Sequence, residues 1–209
     1  MSDIAEQEAR VTELRERLGG EHPETLAAML DLAELLWREG RLAAARVLEE
    51  AVVAARLHLY GEQHADTLKA MGKLATTTGA LGDLARARAM QARIVELAPE
   101  VWGEDGRDRW RAVNNLAGTV AAQGDLLAAR DLLQHVIAAM TRLWGEEDTD
   151  TLAAMGNLAA VLWQIGEHDE AYWLQQQVVD TRRRVFGDGD PATRAAIAAF
   201  DAMQRAAGF

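Results

Sequence analysis

Glycines recur along this chain at a fixed interval of 42 residues, and this period limits the fold more than any other feature. The first series is Gly19, Gly61, Gly103, Gly145 and Gly187, and the second is Gly40, Gly82, Gly124, Gly166 and Gly208. A period of this size is typical of a solenoid, in which similar units stack in a row. We therefore predict a single all-α domain with four full repeats, 19–60, 61–102, 103–144 and 145–186, and a half repeat at each end, 1–18 and 187–209.

Each repeat is predicted to contain two helices, which we call its first and second helix. In repeat 19–60 the apolar residues of the first helix follow the spacing of one buried stripe: Leu26, Met29, Leu32, Ala33 and Leu36. The second helix is predicted from Leu42 to Tyr60, with Ala45, Leu48, Val52 and Leu59 facing inward. Pro99 predicts a kink or an early end in the second helix of repeat 61–102, because proline lacks the amide donor. Thr76–Thr77–Thr78–Gly79 is a poor helix former inside a first helix.

The stretch "GEEDTD" at 145–150 resembles the start of a calcium loop, since Glu146, Asp148 and Asp150 alternate. A calcium loop would also need glycine at 151 and glutamate at 157, where the chain has threonine and asparagine. The equivalent positions of the four full repeats and the C-terminal half repeat are His22, His64, Gly106, Asp148 and Asp190, and each directly precedes a first helix. Side chains that accept hydrogen bonds at this position cap helices, so we predict helix starts and no metal site.

The segment "HPETLAAMLDLAELLWREGRLAAARVLEEAV" resembles the tetratricopeptide repeat (TPR). With its 42-residue length, its "TL…NLA…G…A…L" pattern and its terminal "LWG", the chain is most similar to the repeats of kinesin light chains and their bacterial relatives. The resemblance spans residues 19–186 and, in part, both flanks. It implies a right-handed αα-superhelix whose first helices line a concave binding groove, and a chain that binds partners and is not an enzyme.

Helical geometry predicts which residues point away from the buried stripe of each first helix. In repeat order they are Ala27, Asp31, Glu34, Arg38; Lys69, Lys73, Thr76, Ala80; Arg111, Asn115, Gly118, Ala122; and Ala153, Asn157, Ala160, Gln164. We predict that Lys69, Lys73 and Arg111 converge at the middle of the groove, with the two asparagines continuing the line. The set resembles the cations and asparagines with which some TPR grooves hold a peptide carboxylate, although Asp31 departs from that pattern.

The binding-site prediction therefore has nine members: Asp31, Trp37, Lys69, Lys73, Arg111, Asn115, Asn157, Trp163 and Gln164. The two tryptophans occupy the same repeat position, where they serve either as wedges between first helices or as aromatic walls of the groove. Trp173 replaces smaller residues of the other repeats and is predicted to be exposed. The arginines at 182–184 close a second helix and are predicted to be solvated.

Composition limits the function classes. A net charge of −11 repels a phosphate backbone, so nucleic acid is not the expected partner. The chain has no cysteine and no apolar run long enough to span a membrane, and its start has no secretory signal pattern, which together predict a cytoplasmic protein. Two lysines among many arginines and alanines are typical of a GC-rich bacterial genome. None of the five histidines has zinc-site spacing, and no phosphate loop or activated nucleophile is present, so no cofactor is predicted.

These observations favour an adaptor or scaffold that holds a protein or peptide segment, which is predicted to be acidic or to end in a free carboxylate. Head-to-tail self-assembly through the terminal half repeats, giving a weak homo-oligomer, is the structural alternative. In that case the end helices, near Asp3–Leu18 and Pro191–Arg205, would pack on another copy, whereas otherwise they cap the core. The third hypothesis is a small-ligand sensor or an enzyme. The sequence stops at Gly208–Phe209, where a second helix would begin, so both a whole protein and a fragment fit.

Overall fold

A computed structural model describes residues 3–207, so Gly208 of the glycine series lies outside the described residues. The described chain forms ten α-helices: α1 Asp3–Leu18, α2 Pro23–Arg38, α3 Leu42–Tyr60, α4 Ala65–Ala80, α5 Leu84–Trp102, α6 Arg107–Ala122, α7 Leu126–Trp144, α8 Thr149–Ile165, α9 His168–Phe186 and α10 Pro191–Ala207. The first helices are α2, α4, α6, α8 and α10, and the second helices are α1, α3, α5, α7 and α9. The pairing of one first and one second helix per 42 residues is as predicted.

The helices fall into two compact units, an N-terminal unit that ends at Ala112 and a C-terminal unit that begins at Val113. In the N-terminal unit α1 packs against α2, α2 against α3, α3 against α4 and α4 against α5. In the C-terminal unit α7 packs against α8, α8 against α9 and α9 against α10. This sequential packing is what a repeat protein requires, because each helix pair buries its apolar stripe against its neighbours.

The predicted stripe of the first repeat forms the core of the N-terminal unit. The five apolar residues of α2 are each no more than 5% exposed, and they cluster with Val11 and Leu14 of α1 and with Ala45 and Val52 of α3. The prediction that Leu59 faces inward is wrong, since this residue is 41% exposed. Buried residues along α3 end at Ala55, and the last turn of the helix lies outside the cluster.

Four of the five first helices have the predicted side-chain cap, and the fifth, α6, follows Gly106, which has no side chain. Asp148 Oδ1 accepts a hydrogen bond from the amide of Asp150 at 3.0 Å, and the Nδ1 atoms of His22 and His64 accept in the same way from the amides two residues on. Asp190 accepts from the amide of Thr193 at 2.8 Å, and this bond holds the pKa of the Asp190 carboxyl below its usual range. The acidic stretch at 145–150 is therefore the start of α8.

Of the two outcomes predicted at Pro99, the early helix end is wrong and the kink stays a prediction. Helix α5 continues to Trp102, the amide of Gly103 bonds to the Pro99 carbonyl, and Val101 and Trp102 pack against a buried cluster. The prediction for the arginines at 182–184 also needs correction. Arg182 is not solvated: it is 6% exposed, and its guanidinium donates to the carbonyl of Thr149 at 3.2 Å.

The end helices place apolar residues inward. Val11 and Leu14 of α1 and Met203 of α10 are buried, while Ile4, Ile197 and Phe200 are half-buried. In α1 these residues join the core of the N-terminal unit, which fits a capping role. None of the helices between residues 3 and 207 has the length and apolarity that a bilayer span needs.

Candidate functional site

The face of the first helices opposite the buried stripe is exposed. Each of the positions predicted from helical geometry on α2, α4, α6 and α8 lies at the surface, including Asp31, Lys69, Lys73, Asn115 and Gln164. The stripe and its opposite face are thus separated on every full repeat.

In the N-terminal unit, Lys73 of α4 reaches back to α2. Its Nζ atom lies 3.3 Å from a carboxylate oxygen of Glu34, and Glu34 also pairs with Arg38 one turn further along α2. The three side chains are about half exposed, so water screens the pairs, and each contributes on the order of 0–1 kcal/mol.

A second set of pairs connects α4 and α6 through Asp108. Lys69 Nζ lies 2.9 Å from one carboxylate oxygen of Asp108, and Arg111 lies 3.5 Å from the other. Asp108 is the least exposed of the three, at 29% of its side chain, while both cations are about half exposed. Lys69 and Arg111 therefore meet at one carboxylate, whereas Lys73 pairs elsewhere.

We call the six side chains of these pairs the first-helix charge network: Glu34, Arg38, Lys69, Lys73, Asp108 and Arg111. It has four cations and two carboxylates, and the neighbouring Asp31 adds one exposed acid. These four cations lie close to one another in a chain whose net charge is −11. Because the pairs of the network are exposed and weak, a carboxylate from outside could replace Glu34 or Asp108 at little cost.

In the C-terminal unit the exposed face carries amides. Asn157 of α8 donates through Nδ2 to the Oδ1 atom of Asn114 at 3.1 Å. Asn115 and Gln164 are exposed. Each of these amides has both a donor and an acceptor, which suits a peptide backbone.

The two tryptophans at the repeat position shared by α2 and α8 differ in burial. Trp37 is 43% exposed at the end of α2. Trp163 is half-buried, packs against the apolar core of the C-terminal unit, and meets the His168 ring edge-on with 4.4 Å between centroids. Trp163 therefore contributes to the core of the C-terminal unit, while the Trp37 ring keeps surface that another molecule can cover.

Sequence reasoning missed the partners Asp108, Glu34 and Asn114 as members of the site. In the sequence Asp108 is a carboxylate in the first turn of a predicted helix, where its charge stabilises the helix N-terminus. A numerical signal was nevertheless present, since Glu34 and Lys73 are 39 residues apart and so are Lys69 and Asp108. An offset three residues short of the repeat length brings side chains of neighbouring first helices together, so both pairs could have been found.

Beneath this surface the N-terminal unit buries a carboxyl group, Glu49 of α3. It is 4% exposed, and Thr77 donates to its Oε1 atom at 3.0 Å, while Oε2 is buried without a partner. Burial raises the pKa of the Glu49 carboxyl, although the Thr77 hydrogen bond and the charge of Lys73 act in the opposite direction. Three of the four equivalent positions carry glutamine, Gln7, Gln91 and Gln175, and the last two are also buried.

We expect Glu49→Gln to raise the free energy of unfolding at pH 7 by about 1 kcal/mol, because it removes a buried charge and keeps an oxygen for Thr77. The pKa of Glu49 is higher in the folded than in the unfolded protein. The contribution of this carboxyl to wild-type stability is therefore fully present below the unfolded pKa and is lost as pH rises through the folded pKa. The gain should therefore shrink toward pH 4. Chemical denaturation at several pH values measures this, with the exposed Glu16→Gln as the control. A variant less stable than the wild type at pH 7 would contradict the prediction.

The described residues contain no group of three or more His, Asp or Glu side chains placed to hold a metal ion. The candidate site thus consists of ion pairs, amides and aromatic surface.

Comparison with known proteins agrees with the helical architecture. Two family profiles described as tetratricopeptide repeat match the chain, at residues 25–66 and 111–184, together more than half of it. None of the curated proteins matches it in sequence. The nearly identical TPR-like repeats of a Podosopora anserina kinesin light chain are 25% identical, with a TM-score of 0.69, and the match covers 88% of this chain and 87% of that one.

Two further solved structures share the fold at lower identity. BtubC (BKLC) from P. vanneervenii is 21% identical with a TM-score of 0.76, over 98% of this chain and 83% of that chain. A Rap protein complexed with Competence and Sporulation Factor is 11% identical with a TM-score of 0.73, over 98% of this chain and 59% of that chain. Proteins built from such repeats are generally scaffolds for protein interaction, without catalysis of their own. With both profile matches falling on paired helices of the predicted period, this chain belongs to the tetratricopeptide-repeat family of all-α solenoids, of the kinesin-light-chain-like type.

Proposed function

We propose that the chain is a cytoplasmic adaptor that holds a peptide segment of a protein partner on the exposed face of its first helices. The observation that carries the proposal is the meeting of Lys69 and Arg111 at Asp108. The two cations are half exposed where they meet, so a partner's carboxylate can approach both of them.

The partner segment is acidic or ends in a free carboxylate. Lys73 and Arg38 extend the positive surface along α2 and α4, so a segment with several carboxylates finds more than one cation in the N-terminal unit. Since these charges are exposed, salt screens them, and binding should weaken as ionic strength rises. Asp31 disfavours an acidic residue beside it and so limits where the segment lies.

Each unit also offers contacts of a different kind. In the N-terminal unit the exposed part of Trp37 offers apolar area. The C-terminal unit, taken by itself, offers amide hydrogen bonds to a peptide backbone through Asn115, Asn157 and Gln164. The Rap protein that shares this fold forms a complex with Competence and Sporulation Factor. That complex is a precedent for ligand binding by a solenoid of this kind.

The test uses three fluorescently labelled synthetic hexapeptides: one rich in Asp and Glu with a free C-terminal carboxylate, its C-terminal amide, and a neutral Ser/Ala peptide. We expect the first to bind most tightly in fluorescence anisotropy. The double variant Lys69→Gln/Arg111→Gln should weaken its binding about fivefold to tenfold, which corresponds to exposed charge pairs worth about 1 kcal/mol in total.

The matched control is Arg10→Gln/Arg17→Gln on α1, which removes the same charge away from the first helices and should leave affinity unchanged. Equal losses in both double variants would mean that only net charge matters, and the proposed site would be wrong. No binding of the acidic peptides, with concentration-dependent growth in light scattering, would favour self-assembly.

A further inference from the structure

A second surface, on α9 of the C-terminal unit, has a different chemistry from the first-helix face. Two adjoining cavities of about 580 and 520 Å³ lie along this helix, and Gln177 and Thr181 line both of them. Trp173 lines the first cavity and the α7–α8 connection at Glu146 lines the second. We call this pair of cavities the α9 cleft.

Trp173 gives the α9 cleft an apolar wall. Trp173 is 69% exposed, compared with 62% for Val47 and 58% for Leu127, and it contacts the Tyr172 ring edge-on at 6.3 Å between centroids. The equivalent residues of the preceding repeats, Val47, Ala89 and Asp131, have no such ring. Burial of an indole releases free energy because it removes apolar surface from water. A partner that covers Trp173 would therefore bind more tightly.

The charge of the α9 cleft is negative. Glu170 and Asp180 line the first cavity and Glu146 lines the second, and none of these carboxylates forms an ion pair with another described residue. The cation of the lining, Arg184, is neutralised by Glu147 at 2.8 Å. Unpaired carboxylates beside an exposed indole form a surface that complements a guanidinium or ammonium group, since a cation also binds the face of a tryptophan ring.

The positions on α9 fix the spacing of the cations that would fit. Trp173 and Asp180 are seven residues apart, or about 10 Å along the helix at 1.5 Å per residue. A peptide in the extended polyproline II conformation advances about 3.1 Å per residue with three residues per turn, so cations three residues apart lie on one side of it, about 9 Å apart, and would reach both. The whole cleft, from Trp173 to Arg184, is about 16 Å long and accommodates roughly five extended residues.

We propose that the α9 cleft binds an extended basic peptide segment of a protein partner, with one Arg or Lys on the Trp173 ring beside Glu170 and a second cation at Asp180. This site is independent of the proposed acidic-segment site, because it lies on a second helix and selects the opposite charge.

The probe is a labelled hexapeptide with two arginines three residues apart, compared with a peptide in which citrulline replaces both arginines. We expect anisotropy to show binding of the arginine peptide and at least tenfold weaker binding of the citrulline peptide. Trp173→Ala should weaken arginine-peptide binding about tenfold, and Asp180→Asn about threefold. Indole fluorescence should change on binding in the wild type and less in Trp173→Ala.

Three controls make the outcome decisive. Glu16→Gln on α1 removes a carboxylate outside the cleft and should have no effect, and Leu127→Ala removes an exposed apolar side chain from α7 with the same expectation. Lys69→Gln/Arg111→Gln should also leave this affinity unchanged, which separates the two sites. Equal affinity of wild type and Trp173→Ala, or an equal loss in Glu16→Gln, would overturn the proposal. Self-association of the wild type that Trp173→Ala abolishes would also overturn it, by assigning the cleft to a second copy.

Discussion

Leu133→Ala is expected to lower the free energy of unfolding by about 3 kcal/mol, within the range of about 2–5 kcal/mol measured for such core truncations. Leu133 of α7 is 0% exposed and clusters with Ala117 and Val120 of α6 and with Leu158 and Val161 of α8. Removal of its side chain loses the transfer free energy and leaves a cavity between three helices. The melting temperature should fall by about 6–12 °C for a chain of this size.

Thermal and chemical denaturation measure the effect, and Leu127→Ala is the matched control. Leu127 is on the same helix but is 58% exposed, so its truncation should change stability by less than about 0.5 kcal/mol. Similar changes in the two variants would show that the α7 packing described here is wrong. Because stability in a repeat protein is a sum of local terms, amide exchange should also rise most in α6–α8 of Leu133→Ala.

The fold was predictable from the sequence because the repeat multiplies each weak signal. One glycine is a poor guide, but nine glycines of the two series have positive φ, and each lies at or just beyond a helix end. The α1 bounds, Asp3–Leu18, and the α3 bounds, Leu42–Tyr60, agree with the prediction. The exposed face followed from the buried stripe, since one helix geometry applies to every first helix.

Pairing between helices was less predictable, because it depends on offsets between repeats. Lys69 and Arg111 were recognised as neighbouring cations, but their shared carboxylate Asp108 was assigned only to the start of a helix. The weak helix formers at 76–79 have a similar explanation, since Thr77 is buried and bonds to Glu49, a contact that helix propensity does not reveal.

Replacement by alanine is expected to change the stability in opposite directions at two glycines, Gly106 just before α6 and Gly118 inside it. Gly106 occupies the position where other repeats have a capping side chain, but a Cβ atom there would lie 2.1 Å from the carbonyl oxygen of Trp102 and 2.8 Å from its carbon. Backbone atoms must shift to relieve that overlap, so Gly106→Ala should lower the free energy of unfolding by about 1–3 kcal/mol.

Gly118→Ala supplies the opposite case on the same helix, since nothing lies within 4 Å of the Cβ atom that it would add. Gly118 is inside α6, where alanine is favoured over glycine because it restricts the unfolded chain and suits helical backbone angles. This variant should raise the free energy of unfolding by about 0.5–1 kcal/mol. Chemical denaturation of the two variants beside the wild type decides the matter. If Gly106→Ala were as stable as Gly118→Ala, the Trp102 carbonyl could not lie where the structure places it, and the connection between α5 and α6 would need a different geometry.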